Sequence, residues 1–267
     1  MQPRLAIIAG TGDLPVAIAR ADGDALFVTF EGAGVEVPDG LGHLAASFEK
    51  LGALFEGLRA QSVSEVVFAG AMSRPMPDAT RFDEKTAALM PGLIQAMGQG
   101  DDSLLRHVIK MFEAEGFAVR AVHEVAPDLL LAPHMSMGRV PSRAERADAL
   151  RALDILIALS PQDVAQAAVV ESGLCLGIET LQGTDAMLKF VADTPAHLRR
   201  GRGVFVKAPK QGQDLRIDMP SIGPHTVRGV VKAGLAGLFV AAGAVLVLEQ
   251  DEVRRLIEQH DLFLMTR

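Results

Sequence analysis

The stretch Arg4-Leu-Ala-Ile-Ile-Ala-Gly10-Thr-Gly-Asp-Leu-Pro15-Val-Ala-Ile-Ala-Arg-Ala21 decides the fold class. Leu5–Ala9 is an unbroken apolar run, as expected of a strand buried on both faces. Gly10 and Gly12 punctuate it, and Leu14–Ala21 then reads as a helix. A second strand, Ala25–Phe30, follows at once. The same alternation continues outward. Phe48–Ala60 carries Phe48, Leu51, Phe55 and Leu58 at helical spacing and leads into a strand at Val66–Ala69. Helical patterns at Asp83–Met97 and Ser103–Glu115 precede a strand at Ala118–Val122. Strand–helix alternation of this kind implies crossover connections and a parallel sheet, so the first half is a doubly wound α/β unit.

Between Pro127 and Pro141 the pattern breaks: prolines, a glycine and no clear period. The domain junction is placed there, giving domains 1–132 and 133–267, the second also α/β. It opens with a long helix, Arg143–Leu159. Strands are expected near Ala168–Val170, Leu174–Ile178, Gly203–Val206, Leu215–Asp218, Gly237–Val240 and Val245–Leu248. A helix follows Gly183, and a last one, Glu252–His260, leads into Phe263–Met265.

Composition narrows the function. The 267 residues suit one large domain or two modest ones, and 49% hydrophobic content rules out wholesale disorder. Lys+Arg 26 against Asp+Glu 33 leaves a net charge of −7, which argues against a binder that neutralises many nucleic-acid phosphates. The single cysteine, Cys175, excludes an intramolecular disulfide and a multi-thiolate zinc site. There are 12 Phe but no Trp and no Tyr, so no ligand stacks on indole or phenol, and the 11 Met join Leu in filling the core. No secretory signal pattern opens the sequence, which predicts a chain that begins here and stays in the cytoplasm. The longest uncharged run, Ala233–Leu248, is shorter than the ~20 residues a membrane span needs.

Several short motifs carry candidate chemistry. Gly10-Thr-Gly12-Asp-Leu-Pro15 follows the first strand, where glycines admit a phosphate to the backbone and a helix N-terminus favours an anion. Glu31 ends the second strand, where an acidic residue often meets a ribose hydroxyl. Pro15, however, replaces the third glycine of the dinucleotide fingerprint, so a nicotinamide cofactor is not specified; nucleotide contact is the favoured reading and a tight strand–helix turn the alternative. Gly70-Ala-Met-Ser-Arg-Pro75 follows the third strand, with Arg74 either facing a phosphate or solvated in a turn. In Gly100-Asp101-Asp102-Ser103 an N-cap competes with a Mg²⁺ ligand, Asp102 being the better functional candidate. In Gly183-Thr184-Asp185, capping and dipole compensation compete with phosphate binding. From His197 to Asp218, five cations (Arg199, Arg200, Arg202, Lys207, Lys210) precede the first carboxylate, Asp214. A solvated basic face is the ordinary reading of such a run. The continuation Gln213-Asp214-Leu-Arg216-Ile-Asp218 adds the carboxylates that phosphoryl chemistry needs beside its cations.

Taken in order, Ile8-Ala-Gly-Thr-Gly-Asp-Leu-Pro15, Gly70-Ala-Met-Ser-Arg-Pro75, Gly100-Asp-Asp-Ser-Leu-Leu105, Glu179-Thr-Leu-Gln-Gly-Thr-Asp185, Lys207-Ala-Pro-Lys-Gln-Gly-Gln-Asp-Leu-Arg-Ile-Asp-Met-Pro220 and Gly223-Pro-His-Thr226 span most of the chain. The set resembles the bacterial UDP-2,3-diacylglucosamine pyrophosphatases of lipid A biosynthesis, the type unrelated to calcineurin-like metallophosphoesterases. The Asp-x-His and Gly-Asn-His-Glu blocks of that other type are absent. The resemblance implies a Rossmann-like N-terminal domain, a distinctive C-terminal α/β domain and substrate bound between them. It implies Mg²⁺- (or Mn²⁺-) dependent hydrolysis to UMP and 2,3-diacylglucosamine 1-phosphate by water attack at the α-phosphorus. The family's essential carboxylate maps onto Asp218; Asp102, Asp185 and Asp214 join it as candidate metal ligands. Candidate substrate contacts are Gly10, Thr11, Gly12, Leu14, Gly70, Ala71, Met72, Arg74, Thr184, Lys207, Lys210 and Gln213. A homodimer and at most peripheral contact with the inner membrane are expected on the same ground. His225 stands where the family commonly has Arg or Lys.

Met72, Met76, Met90, Met135 and Met137 lie in or near expected loops, where flexible thioethers suit acyl chains and equally serve as core filler. Two other classes compete with the hydrolase. Gly10, Gly12 and Glu31 suit a dinucleotide-dependent oxidoreductase, which NAD(H) titration would reveal. A non-catalytic nucleotide or lipid carrier would bind without turnover.

Overall fold

The computed structural model describes residues 4–72 and 77–267, Asp101 by its backbone alone. The chain divides into two compact units, Met1–Pro127 with Asp214–Asp218, and Asp128–Gln213 with Met219–Arg267. Both are α/β.

The first unit runs β1 (Arg4–Ala9), α1 (Leu14–Ala21), β2 (Leu26–Phe30), β3 (Gly42–Ala46), α2 (Leu51–Ala60), β4 (Val63–Ala69), α3 (Glu84–Met97), α4 (Asp101–Ala114), β5 (Ala118–Arg120) and α5 (Val122–Val125). The strands form one parallel sheet in the order β3-β2-β1-β4-β5. This is the doubly wound order, which reverses between β1 and β4. The apolar run of β1 is central and buried from Leu5 to Ala9, as its composition requires. Phenylalanines do the work of the missing larger aromatics: Phe112 meets Phe55 and Phe68 edge-on at 5.2 and 5.1 Å. Phe48 precedes α2 rather than opening it, and stacks on Phe30 at 4.1 Å. The start of α2 is satisfied from α3 instead: Thr86 Oγ1 and Asp83 Oδ2 accept from the N–H groups of Leu51 and Ala53.

The second unit runs β6 (Ser136–Gly138), α6 (Arg143–Leu159), β7 (Ala167–Glu171), β8 (Leu174–Ile178), α7 (Gly183–Ala192), β9 (Val204–Lys207), β10 (Ser221–Ile222), α8 (Pro224–Lys232), β11 (Gly237–Val240), β12 (Leu246–Val247), α9 (Gln250–Gln259) and β13 (Phe263–Thr266). Its main sheet has the order β6-β13-β11-β9-β7-β8. The centre, β13-β11-β9, is parallel; β6 at one edge and β7–β8 at the other are antiparallel. β10 and β12 form a short parallel pair apart from it. α6 begins with a reciprocal capping box: the Glu145 N–H donates to Ser142 Oγ (3.2 Å) and the Ser142 N–H to Glu145 Oε2 (2.6 Å).

One expected strand is absent. Residues 215–217 form a turn and Asp218 is irregular: the Arg216 N–H donates to Asp214 Oδ1 at 3.1 Å, a local bond that competes with extended pairing. Residues 214–218 group with the first unit. Of the methionines, Met137 is core in β6 and Met135 packs against the same core, Met90 lies within α3, and Met72 is exposed. Met76 lies outside the described residues.

Candidate functional site

The first candidate region is the switch point of the first unit. The chain leaves β1 at Gly10 and β4 at Gly70, and the two loops pair with each other. The Gly10 N–H donates to Ala69 O (2.7 Å), and Thr11 and Ala71 exchange backbone hydrogen bonds of 2.8 and 2.9 Å. A Cβ on Gly10 would stand 2.4 Å from Ala71 O; one on Gly70, where φ is +85°, would stand 2.5 Å from Thr11 O. Both glycines are therefore required by backbone meeting backbone. Gly12 differs: φ is +101° and a Cβ there would meet no atom of the described residues within 4 Å, so among these residues this side of the loop is open. Gly10, Thr11, Gly12, Leu14, Gly70, Ala71 and Met72 are thus gathered at the end of the sheet where doubly wound folds bind ligands. Arg74 lies outside the described residues. Pro15 is buried in the first turn of α1, and Glu31 is exposed beside Arg81 at 3.3 Å.

The second region is the Asp214–Asp218 turn. The Arg216 guanidinium grips Asp214 through Nε (3.0 Å to Oδ1) and Nη2 (2.7 Å to Oδ2), and its Nη1 reaches Glu113 Oε1 of α4 at 2.9 Å. Ile217 packs against the core of the first unit. The Arg216 fork, ahead of smaller help from Arg106, holds the Asp214 carboxyl below the usual carboxylate range. Asp218 ends the turn, half-buried.

The third region is a polar network in the second unit, at the carboxyl end of β9. Lys207 is only 5% exposed, and its ammonium donates to both oxygens of Glu179 (2.9 and 3.1 Å) and to Thr184 Oγ1 (2.9 Å). The Thr184 hydroxyl donates in turn to Glu179 Oε1. Glu179 also accepts from the Gln166 N–H, and the Gln166 side chain donates to Gln213 Oε1 at 2.9 Å. Gln213 Oε1 accepts the Lys210 N–H as well, and Lys210 Nζ pairs with Asp163. Thr184, Lys207, Lys210 and Gln213 are therefore brought together, and Thr184 is not the cap of α7, whose N-cap is Gln182. Nearby, Lys207, Val240 and Thr266 at the strand ends and Arg146, Leu150 and Leu153 of α6 line a cleft of about 280 Å³.

Glu179, Gln166 and Asp163 were not singled out as site residues by the sequence. Glu179 lies in a quoted motif, but its partner is 28 positions away. The same distance effect dissolves the basic run. Arg199 pairs with the buried Glu171 at 2.7 Å and Arg202 donates to Leu235 O at 2.9 Å, so much of this charge serves internal bonds.

The carboxylates proposed for metal are also paired. Asp102 meets Arg106 one turn along α4 (2.7 Å), Asp185 meets His225 (3.2 Å), and Asp214 meets Arg216. Among the described residues no three His, Cys, Asp or Glu side chains gather as a metal centre. Asp102, Asp214 and Asp218 belong to the first unit and Asp185 to the second. No helix among the described residues is long and apolar enough to cross a membrane.

Comparison with known proteins covers both units. Residues 4–129 match the LpxI N-terminal domain family and residues 133–265 the LpxI C-terminal domain family. The chain is 37% identical over 282 aligned residues to the UDP-2,3-diacylglucosamine pyrophosphatase LpxI of Caulobacter vibrioides, covering 98% of this chain and 96% of that protein. With both domains matched in order, the chain belongs to the LpxI family.

Proposed function

We propose that this chain hydrolyses the pyrophosphate of UDP-2,3-diacylglucosamine to UMP and 2,3-diacylglucosamine 1-phosphate, a step of lipid A synthesis. The observation that carries the reading is the near full-length likeness to the pyrophosphatase of that name. In this reading a water oxygen bonds to the α-phosphorus, the bond from that phosphorus to the bridging oxygen breaks, and Asp218 takes the water proton. The open Gly12 side of the paired loops receives the nucleotide by backbone and aliphatic contacts, since no Trp or Tyr exists to stack on uracil. Thr184, Lys207, Lys210 and Gln213, already joined to one another through Glu179, Gln166 and Asp163, are the residues we assign to phosphate, which would have to compete with those carboxylates for the two cations.

Mg²⁺ (or Mn²⁺) belongs to the same proposal. A cation of this kind commonly takes one or two carboxylates and completes its shell with substrate phosphate and water, so it does not require a three-carboxylate cage. Asp218 is the residue that would hold it, and the ion would offset pyrophosphate charge. A homodimer at the face of the inner membrane is proposed on family likeness alone. The test is release of UMP from the purified chain with Mg²⁺, with EDTA, and in Asp218→Asn. The proposal expects turnover only in the first case; Asp218→Asn turning over at the wild-type rate removes Asp218 from its role, and no UMP in any arm removes the reaction.

A further inference from the structure

We infer that Arg216, with Asp214 and Glu113, is a clamp that positions Asp218, so that Arg216 and Asp214 are positioning residues rather than ligands of substrate or metal. The inference rests on the reading of Asp218 given above. Five residues, Asp214–Asp218, group with the first unit although the chain on either side belongs to the second. Something must hold so short a segment in place, and two contacts do. Ile217, partly buried, packs its side chain against the first unit's core. Arg216 bonds forward to Glu113 near the C-terminal end of α4 and backward, two-pronged, to Asp214. The Arg216 backbone N–H, donating to the Asp214 side-chain Oδ1, closes the turn locally.

The planar guanidinium fork matches a carboxylate edge and fixes direction as well as distance, which a lysine ammonium does not. Both Asp214 oxygens are occupied by it, at 3.0 and 2.7 Å, a poor starting point for coordinating a cation. The pairing that depresses the Asp214 carboxyl points the same way. Asp218 lies two residues beyond Arg216, so the clamp sets the backbone from which its carboxylate projects. Displacement of a reacting group by about 1 Å costs on the order of 10²-fold in rate.

The experiment uses the full chain as wild type, Arg216→Ala, Arg216→Lys, Asp214→Asn and the double variant Asp214→Asn/Arg216→Ala. Two readouts are taken: steady-state UMP release, and amide hydrogen exchange across residues 214–218. Arg216→Ala should lower kcat about 10²-fold with KM changed less than about threefold, and Arg216→Lys should recover part of the loss. Asp214→Asn should match Arg216→Ala, and the double variant should be no worse than either single one, because both break one bond. Exchange in the turn should quicken in every variant. Full kcat in Arg216→Ala overturns the clamp. So does an Asp214→Asn loss that adds to that of Arg216→Ala, or that is rescued by raising Mg²⁺, for Asp214 is then a metal ligand. If wild type releases no UMP, the functional reading fails instead, and the exchange comparison alone decides the clamp.

Discussion

The buried Lys207–Glu179 pair offers a sharp energetic prediction. The two residues are 5% and 9% exposed, and the three hydrogens of the ammonium are taken by Glu179 Oε1, Glu179 Oε2 and Thr184 Oγ1. Lys207→Met removes the cation and leaves a carboxylate buried with only Thr184 and the Gln166 N–H to answer it. Breaking a buried pair from one side costs about 3–5 kcal/mol, whereas replacing both partners by apolar residues of similar volume is often near neutral. Lys207→Met should therefore lower the second unit's melting temperature by roughly 6–20 °C, and Lys207→Met/Glu179→Leu should recover most of that loss. Calorimetry of wild type, both single variants and the double variant measures it. A Lys207→Met melting temperature within about 1 °C of wild type, some half a kcal/mol or less, would refute the reasoning, since the pair would then be worth no more than a surface ion pair. The double variant also separates stability from chemistry: if Lys207 meets substrate phosphate, UMP release stays low after stability returns.

Two further predictions concern the frame. Gly10→Ala drives a Cβ to 2.4 Å from Ala71 O and should cost about 1–3 kcal/mol or more, seen as a lower urea midpoint for the first unit. Gly12→Ala meets no atom of the described residues and pays the positive-φ backbone strain of about 1–2 kcal/mol, so its larger effect should fall on UMP release. At the head of α6, the Arg139 fork and the Ser142 N–H hold the Glu145 carboxyl down to about 2 from an ordinary 4.5. A depressed carboxylate stabilises the fold above its unfolded value and loses that contribution as pH falls through the folded one. Stability should thus drop by about 2–3 kcal/mol between about pH 5 and pH 2 through this group, and Glu145→Gln should flatten that part of the curve in urea unfolding at each pH.

The doubly wound unit was legible because its information is local: the apolar run of β1, the glycines after it and the amphipathic α2 each declare themselves within a few residues. β3, Gly42–Ala46, was not, since His43 and two alanines carry little strand signal and the pairing with β2 decides the matter. α8, Pro224–Lys232, hid behind a Gly-Pro opening that reads as a turn. The Leu215–Asp218 error has the same root: alternating Leu215, Arg216, Ile217 and Asp218 look like a strand, but Asp214 bonds the Arg216 backbone and side chain and holds a turn. At the site, residue types were readable and partners were not. Lys207 and Lys210 suggested free cations; Glu179 and Asp163, 28 and 47 positions away, convert them into a network. Gly10 suggested phosphate and Gly70 a substrate contact, while their tight contacts are with each other's loops.

Hydrolysis of UDP-2,3-diacylglucosamine in oxygen-18 water tests the central claim most directly. Attack at the α-phosphorus places one labelled oxygen in UMP and none in 2,3-diacylglucosamine 1-phosphate, and Asp218→Asn yields neither product. Label in the sugar phosphate, or no UMP from the intact chain, would contradict the account.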